Sequence, residues 1–166
     1  MTTYAGIDPG ASGAIAFLDD HYRNAVYDLP VTKDGKANVL DVEALLAYLH
    51  HEMPAWVGLE QLNGHAAGGF SSATWSLARN TGAIEATLAA RNALTDDRLR
   101  LHRVAPTAWQ KTFGLVGPYP KGNARKLAHI ARARELFPEL RDRLIVSKDG
   151  RADALLIAEH TRRRVR

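Results

Sequence analysis

Four acids carry the chemistry that this sequence offers. Asp8 closes the apolar run TYAGID and is followed at once by the turn residues of PGASG, and Glu60 closes WVGLE in the same manner. If both runs are strands and lie side by side, the two carboxylates face each other. Each then raises the other's pKa unless a cation stands between them. A hard divalent ion with oxygen ligands is the natural cation for such a site. Taken singly, each acid also reads as a loop cap or one half of a surface ion pair.

The stretch SKDGRADALLIAEH adds Asp149 and Asp153, four residues apart and therefore on one face of a helix. Asp149 doubles as a helix N-cap. Asp153 interrupts a run of small and apolar residues on the packing face, with a salt bridge to Arg151 or Arg125 as the competing reading. The 166 residues include no cysteine, so any metal here binds oxygen or imidazole. His65, His102, His129 and His160 show no ligand spacing, and His160 fits a role in complementing the dipole of the last helix.

The cations are unevenly spread. Residues 119–166 carry a net charge of +7 and residues 1–118 a net of −3. A basic half suggests a polyanionic partner; a solvated basic surface is the plainer alternative. Lys111, Lys121, Arg125 and Lys126 flank the segment leading to the acidic helix and are the first choices for phosphate contacts. Arg132 and Arg134 are carried away from Arg125 by the next turn.

The elements that must position these groups follow from pattern. TYAGID (3–8), GAIAFL (13–18), NAVYDL (24–29), WVGLE (56–60) and LRLHRV (99–104) read as strands, and TKDGKAN as a polar loop. Asp41 caps a helix to about Met53, stopped by Pro54. A Gly-rich loop follows Glu60, then an Ala-rich helix from Ala73 to about Asn92. PTAWQKTFG suits a short helix with Pro at its start. Two more helices span 123–137 and Asp149 to about Arg163, with 162–166 as a candidate frayed basic tail. Three strands in series, then alternation, predict a single α/β domain over 1–166 with a sheet of mixed direction. No stretch approaches a membrane span, no signal peptide is expected, and the protein is expected to be cytoplasmic.

GIDPG, LEQ, APTAWQKTFG and ADALLIAEH, in this order and at these distances, resemble the RuvC-type Holliday junction resolvases of the RNase H-like superfamily. The resemblance covers nearly the whole chain. It implies an RNase H-like fold: a mixed five-stranded sheet with helices on both faces. It implies catalytic, metal-binding roles for Asp8, Glu60 and Asp153, and for Asp149 as the acid preceding Asp153. It further implies a homodimer that makes paired nicks in four-way DNA junctions with Mg²⁺ or Mn²⁺, leaving 5′-phosphate and 3′-hydroxyl ends. The family's dimer forms through the helix in which Ala78, Gly82, Ala86 and Ala90 recur here every four residues. Without the resemblance that stripe is equally a core-packing face.

The family is also thought to place an aromatic wedge soon after the second acid. This chain has Asn63 at the common position, so Phe70, behind a Gly-Gly pair, becomes the candidate for stacking on an unpaired base. Folding of Phe70 back onto the core is the alternative. Two departures bear on how far details transfer. The turn after Asp8 is about two residues shorter than in the common bacterial proteins, a feature of phage-type members, and the last two acids are four apart where three is common.

In the expected mechanism two ions roughly 3.5–4 Å apart clamp the scissile phosphate, with Asp8 bridging them. Three other readings compete: a nuclease of the same superfamily acting on RNA–DNA hybrid or other branched DNA, an actin-like ATPase, and a junction binder without catalysis. The ATPase needs two such domains, and the non-catalytic binder would lack one or more acids.

Overall fold

The computed structural model describes residues 2–10, 12–21, 23–35, 37–61, 72–120 and 123–166. Its main sheet contains β1 (Thr3–Asp8), β2 (Ala14–Asp19), β3 (Ala25–Asp28), β6 (Trp56–Glu60) and β7 (Arg100–Val104) in the order β3-β2-β1-β6-β7. β2 runs antiparallel to both β1 and β3, whereas β1, β6 and β7 are parallel. The sheet is therefore mixed and five-stranded, as the sequence pattern predicts.

Period-two alternation divides its side chains between two cores. Ala5, Ile7, Ile15, Phe17, Val57 and Leu59 pack with Leu45 and Leu49 of α1 (Val42–Glu52) and with Ile84 and Leu88 of α2 (Ser72–Leu94). Ala14, Ala16, Leu18, Val26 and Val104 pack on the other face. Their partners come from α3 (Pro106–Thr112), α4 (Ala124–Leu136) and α5 (Gly150–Val165). Helices thus cover both faces, which is why β1 and β2 are small and apolar almost throughout rather than amphipathic.

The central contact is α5 across β1 and β6. Gly6 and Gly58 are register partners in these adjacent strands. A Cβ on Gly6 would run into the α5 backbone at Ala154 and Ala158, and one on Gly58 into Thr161. Two glycines side by side let the helix sit against the strands at a distance no larger residue permits. That contact fixes what comes two residues later on the same face of each strand, namely Asp8 and Glu60.

Local signals set the helix ends. Asp41 Oδ1 accepts from the Ala44 amide at 3.0 Å, and Met53 closes α1 at φ 43° before Pro54. A cap of this kind contributes about 1 kcal/mol. Two expectations need correction. TKDGKAN is no loop: β4 (Val31–Asp34) and β5 (Ala37–Leu40) form a separate hairpin, turned at Gly35 with φ +60°. The hairpin is tied to α2 through Arg79–Asp34 and through Asn80 Oδ1, which accepts from the Leu40 amide. The basic end is also not frayed, because α5 continues to Val165. Arg162 and Arg163 pair with buried Glu159, and Arg166 pairs with Asp20 and lies over the Tyr4 ring. No described helix is long and apolar enough to cross a membrane.

Candidate active site

Asp8 ends β1 one residue past the Ile7–Leu59 register pair, and Glu60 ends β6 one residue past the same pair. Both side chains lie on the α5 face. Behind Asp8 the chain turns sharply: the Gly10 amide donates to Asp8 Oδ1 at 2.9 Å and the Gly13 amide to the Gly10 carbonyl at 2.9 Å. The first turn of α5 closes on this loop at Gly150, where a Cβ would strike the Ser12 carbonyl and come within 2.9 Å of Asp8 Oδ2. Gly150 is a site residue that the sequence reading missed; the signal was the glycine between two acids.

Asp8 has its pKa pushed up to about 8, first by burial and then by the negative charges of Asp153, Glu60 and Asp149; only the Gly10 amide opposes this. Glu60 is also raised, chiefly by burial with Asp153 adding. The Trp109 indole, which donates to Glu60 Oε1 at 2.8 Å, and the nearby Arg125 guanidinium work against that rise. The four acids predicted from sequence therefore act on one another. Among the described residues no cationic side chain pairs with Asp8.

The two acids of α5 do have partners. Asp149 holds the N-cap position but makes no side-chain capping bond; its Oδ2 takes Lys126 Nζ at 2.9 Å. Asp153 Oδ1 takes His129 Nδ1 at 2.8 Å. The salt bridge considered between Asp153 and Arg151 does not form, because Arg151 and Lys148 both reach Asp28 at the end of β3, each at 2.7 Å.

Of the cations predicted to meet phosphate, Lys126 sits at this cluster on Asp149, Arg125 is exposed at the same end of α4 and acts electrostatically on Glu60, and Lys111 is exposed on α3. Arg132 pairs with Glu135 and Arg134 donates to the Leu144 carbonyl, consistent with their turning away. Phe70, Asn63, His65 and Lys121 lie outside the described residues. Ala78, Gly82, Ala86 and Ala90 are all exposed, so the small-residue stripe of α2 does not pack on the sheet. His160 does not serve the helix dipole: it is buried, bonded through Nδ1 to Thr112 Oγ1 at 2.8 Å and stacked on His102.

Trp109 and His129 touch two of the acids, a relation that the sequence did not reveal. Each is a buried side chain on a separate helix, and neither has a spacing relation to the acid it touches.

Four carboxylates, two of them with raised pKa values, are a donor set suited to hard divalent ions. As they stand, no three His, Asp or Glu side chains among the described residues are grouped so as to hold an ion already. The fit to a metal therefore rests on donor chemistry and on the uncompensated charge at Asp8.

The mixed sheet, its strand order and the helix laid across the two central strands make this an RNase H-like α/β fold. Within that class the chain has the fold of RuvC-type Holliday junction resolvases. It is similar to Thermus thermophilus RuvC solved in complex with a Holliday junction substrate, with TM-score 0.62 and 15% identity over 96% of this chain and 92% of that one. A second T. thermophilus RuvC structure matches with TM-score 0.57 at 15% identity, over the same shares of the two chains. The yeast mitochondrial Holliday junction resolvase Ydc2 matches with TM-score 0.56 at 14% identity, over 96% of this chain and 78% of that one. No protein-family model matches the sequence, and no curated protein does.

Proposed function

We propose that this protein is a divalent-metal-dependent endonuclease that resolves four-way DNA junctions by paired nicks. The observation that carries the reading is Asp8, a half-buried carboxylate at a sheet end, with its pKa raised by three further acids and paired with no cationic side chain among the described residues. The fold shared with resolvases, one of them solved on a Holliday junction, supports the choice of substrate.

Asp8, Glu60, Asp149 and Asp153 would hold Mg²⁺ or Mn²⁺. Bound there, such ions supply charge stabilisation at the phosphate and acidify a water for attack, leaving 5′-phosphate and 3′-hydroxyl ends. The protein's own contribution is orientation and charge. The Gly10 amide fixes one Asp8 oxygen, and Trp109 fixes one Glu60 oxygen. Lys126 and Arg125, at the start of α4, stand where a phosphate approaching the acids would meet positive charge. Lys111, together with Lys121 and Phe70 outside the described residues, completes the DNA contacts in this proposal, Phe70 as the stacking residue at the crossover.

Two such sites suit a homodimer, since a two-fold pair matches two strands of like polarity. The outward face of α2 is the proposed interface: its exposed Ala78, Gly82 and Ala86 let a second backbone approach, and Trp75, 61% exposed, supplies an apolar anchor. Ala86→Glu should convert a dimer to monomer in light scattering. An unchanged mass would remove α2 from the interface.

The substrate is tested by offering Mg²⁺ and equal amounts of a four-way junction, an RNA–DNA hybrid and a plain duplex. Symmetric nicking of the junction alone is expected. Preferential cutting of the hybrid would move the protein to another branch of the superfamily.

A further inference from the structure

Trp109 and His129 come from different helices, α3 and α4, yet their rings pack edge to face with centroids 5.1 Å apart at 75°. Both are buried. Tyr119 closes the far side of His129 at 6.5 Å and is itself anchored by its hydroxyl, which donates to the Leu115 carbonyl at 2.6 Å. Each of the paired rings ends on one acid of the candidate site: Trp109 on Glu60 Oε1, His129 on Asp153 Oδ1.

The chemistry of these contacts is one-directional. An indole N–H only donates, so one lone pair of Glu60 Oε1 is occupied and Oε2 is the less encumbered oxygen. An ionised carboxylate only accepts, so the His129 proton sits on Nδ1 and Asp153 keeps Oδ2 free. His129 Nε2 is buried with no hydrogen-bond partner, so no other polar group competes for the orientation of the ring. Glu60 and Asp153 are thereby held as carboxylates with one oxygen fixed and one presented. Ca²⁺ readily takes both oxygens of a carboxylate and tolerates irregular shells, whereas Mg²⁺ demands near-octahedral geometry from single oxygens.

We propose that Trp109 and His129 are positioning residues that make Glu60 and Asp153 one-oxygen ligands, and so set the preference of this site for small octahedral ions over Ca²⁺. This rests on the metal-dependent nuclease reading above. It assigns to α3 and α4 a role that the acids alone do not define: each helix fixes one oxygen of one acid.

The test is calorimetric titration of the full protein with Mn²⁺ and with Ca²⁺, without DNA. Trp109→Phe and His129→Phe keep a ring in the stack and remove the donor, while His129→Asn keeps a donor and removes the ring. Both Phe variants should lose about 10–100-fold in Mn²⁺ affinity, the usual loss on removing an outer partner of a ligand. Their Ca²⁺ affinity should change less, so the Mn²⁺ to Ca²⁺ ratio falls. His129→Asn, which can still donate to Asp153, should lose clearly less than His129→Phe. Unchanged Mn²⁺ affinity in the Phe variants, or equal losses in His129→Phe and His129→Asn, would overturn the proposal. If Trp109→Phe does not fold, the two His129 variants decide alone. A parent protein that binds no Mn²⁺ would instead overturn the nuclease reading itself and this inference with it; a parent that binds alongside unchanged variants overturns only this one.

Discussion

Asp8 and Asp28 end strands on either side of β2 and share one register partner, Ala14. They occupy the same row of the sheet, yet their environments are opposite. Asp28 receives Arg151 Nε and Lys148 Nζ, each at 2.7 Å, and its pKa is lowered, first by the Arg151 hydrogen bond. Asp8 is half-buried and feels Asp153, Glu60 and Asp149, and its pKa is raised to about 8. Apart from Glu60, the charges that make this difference come from one short stretch, SKDGRAD, at the start of α5. Lys148 and Arg151 turn towards β3; Asp149 and Asp153 turn towards β1 and β6. One helix start thus compensates one strand-end acid and adds negative charge to its neighbour. The first acid is compensated within the chain; the second is the one for which we propose added cations.

The contrast can be broken on the side of the charged cluster with the largest effect. Asp153→Asn removes a proposed ligand while keeping the shape, and should lower junction cleavage by at least about 10³-fold, corresponding to several kcal/mol of lost charge stabilisation. Gel-based cleavage assays at saturating Mg²⁺ read this; a loss below tenfold would place Asp153 outside the reacting site.

Next in size is a pH effect on the metal-free protein. An acid whose folded pKa lies above its ordinary value binds more protons folded than unfolded, so its contribution favours the fold at low pH and is lost as pH rises. For Asp8 that window runs from its ordinary 3.8 to about 8, and Glu60 acts in the same direction. In EDTA the melting temperature should therefore fall between pH 5 and about pH 8. Asp8→Asn should flatten the slope, and Mn²⁺ should reverse it, because bound metal favours the ionised acids. A slope unchanged by Asp8→Asn would mean that burial at Asp8 is not linked to folding.

The smallest effect belongs to the compensated side. Arg151→Met removes a partner of Asp28, whose side chain is 39% exposed, so the loss should be about 1 kcal/mol or less in denaturant titration. Cleavage should be retained. A large loss of cleavage would show that the Asp28 group also serves catalysis.

What was legible in the sequence was local. Asp8 and Glu60 could be placed because each ends an apolar run, and the α5 acids because helical spacing puts them on one face. The central strands β1, β2 and β6 were legible because burial on both faces leaves near-continuous apolar runs. The β4–β5 hairpin was not, because β4 is exposed along its whole length and carries no alternation to read. The contacts of Trp109 and His129, and the pairing of Lys126 with Asp149, were not, because these partners lie 49, 24 and 23 residues apart and meet only after α3 and α4 fold against α5. The Asp153–Arg151 pairing failed for a related reason: a nearer-in-sequence partner lost to Asp28, which the sheet brings to Arg151 from 123 residues away. The α2 stripe was ambiguous between core and partner until the fold placed it on the outside.

The account stands most directly on cleavage of a four-way junction by the parent protein and by Asp8→Asn, each with Mg²⁺ and with EDTA, alongside junction binding in the absence of metal. The parent should make paired nicks only with Mg²⁺, and Asp8→Asn should bind the junction and leave it intact. Cutting by Asp8→Asn at near the parent rate, or cutting by the parent in EDTA, would contradict the claim that the acid at the end of β1 holds the metal that does the work.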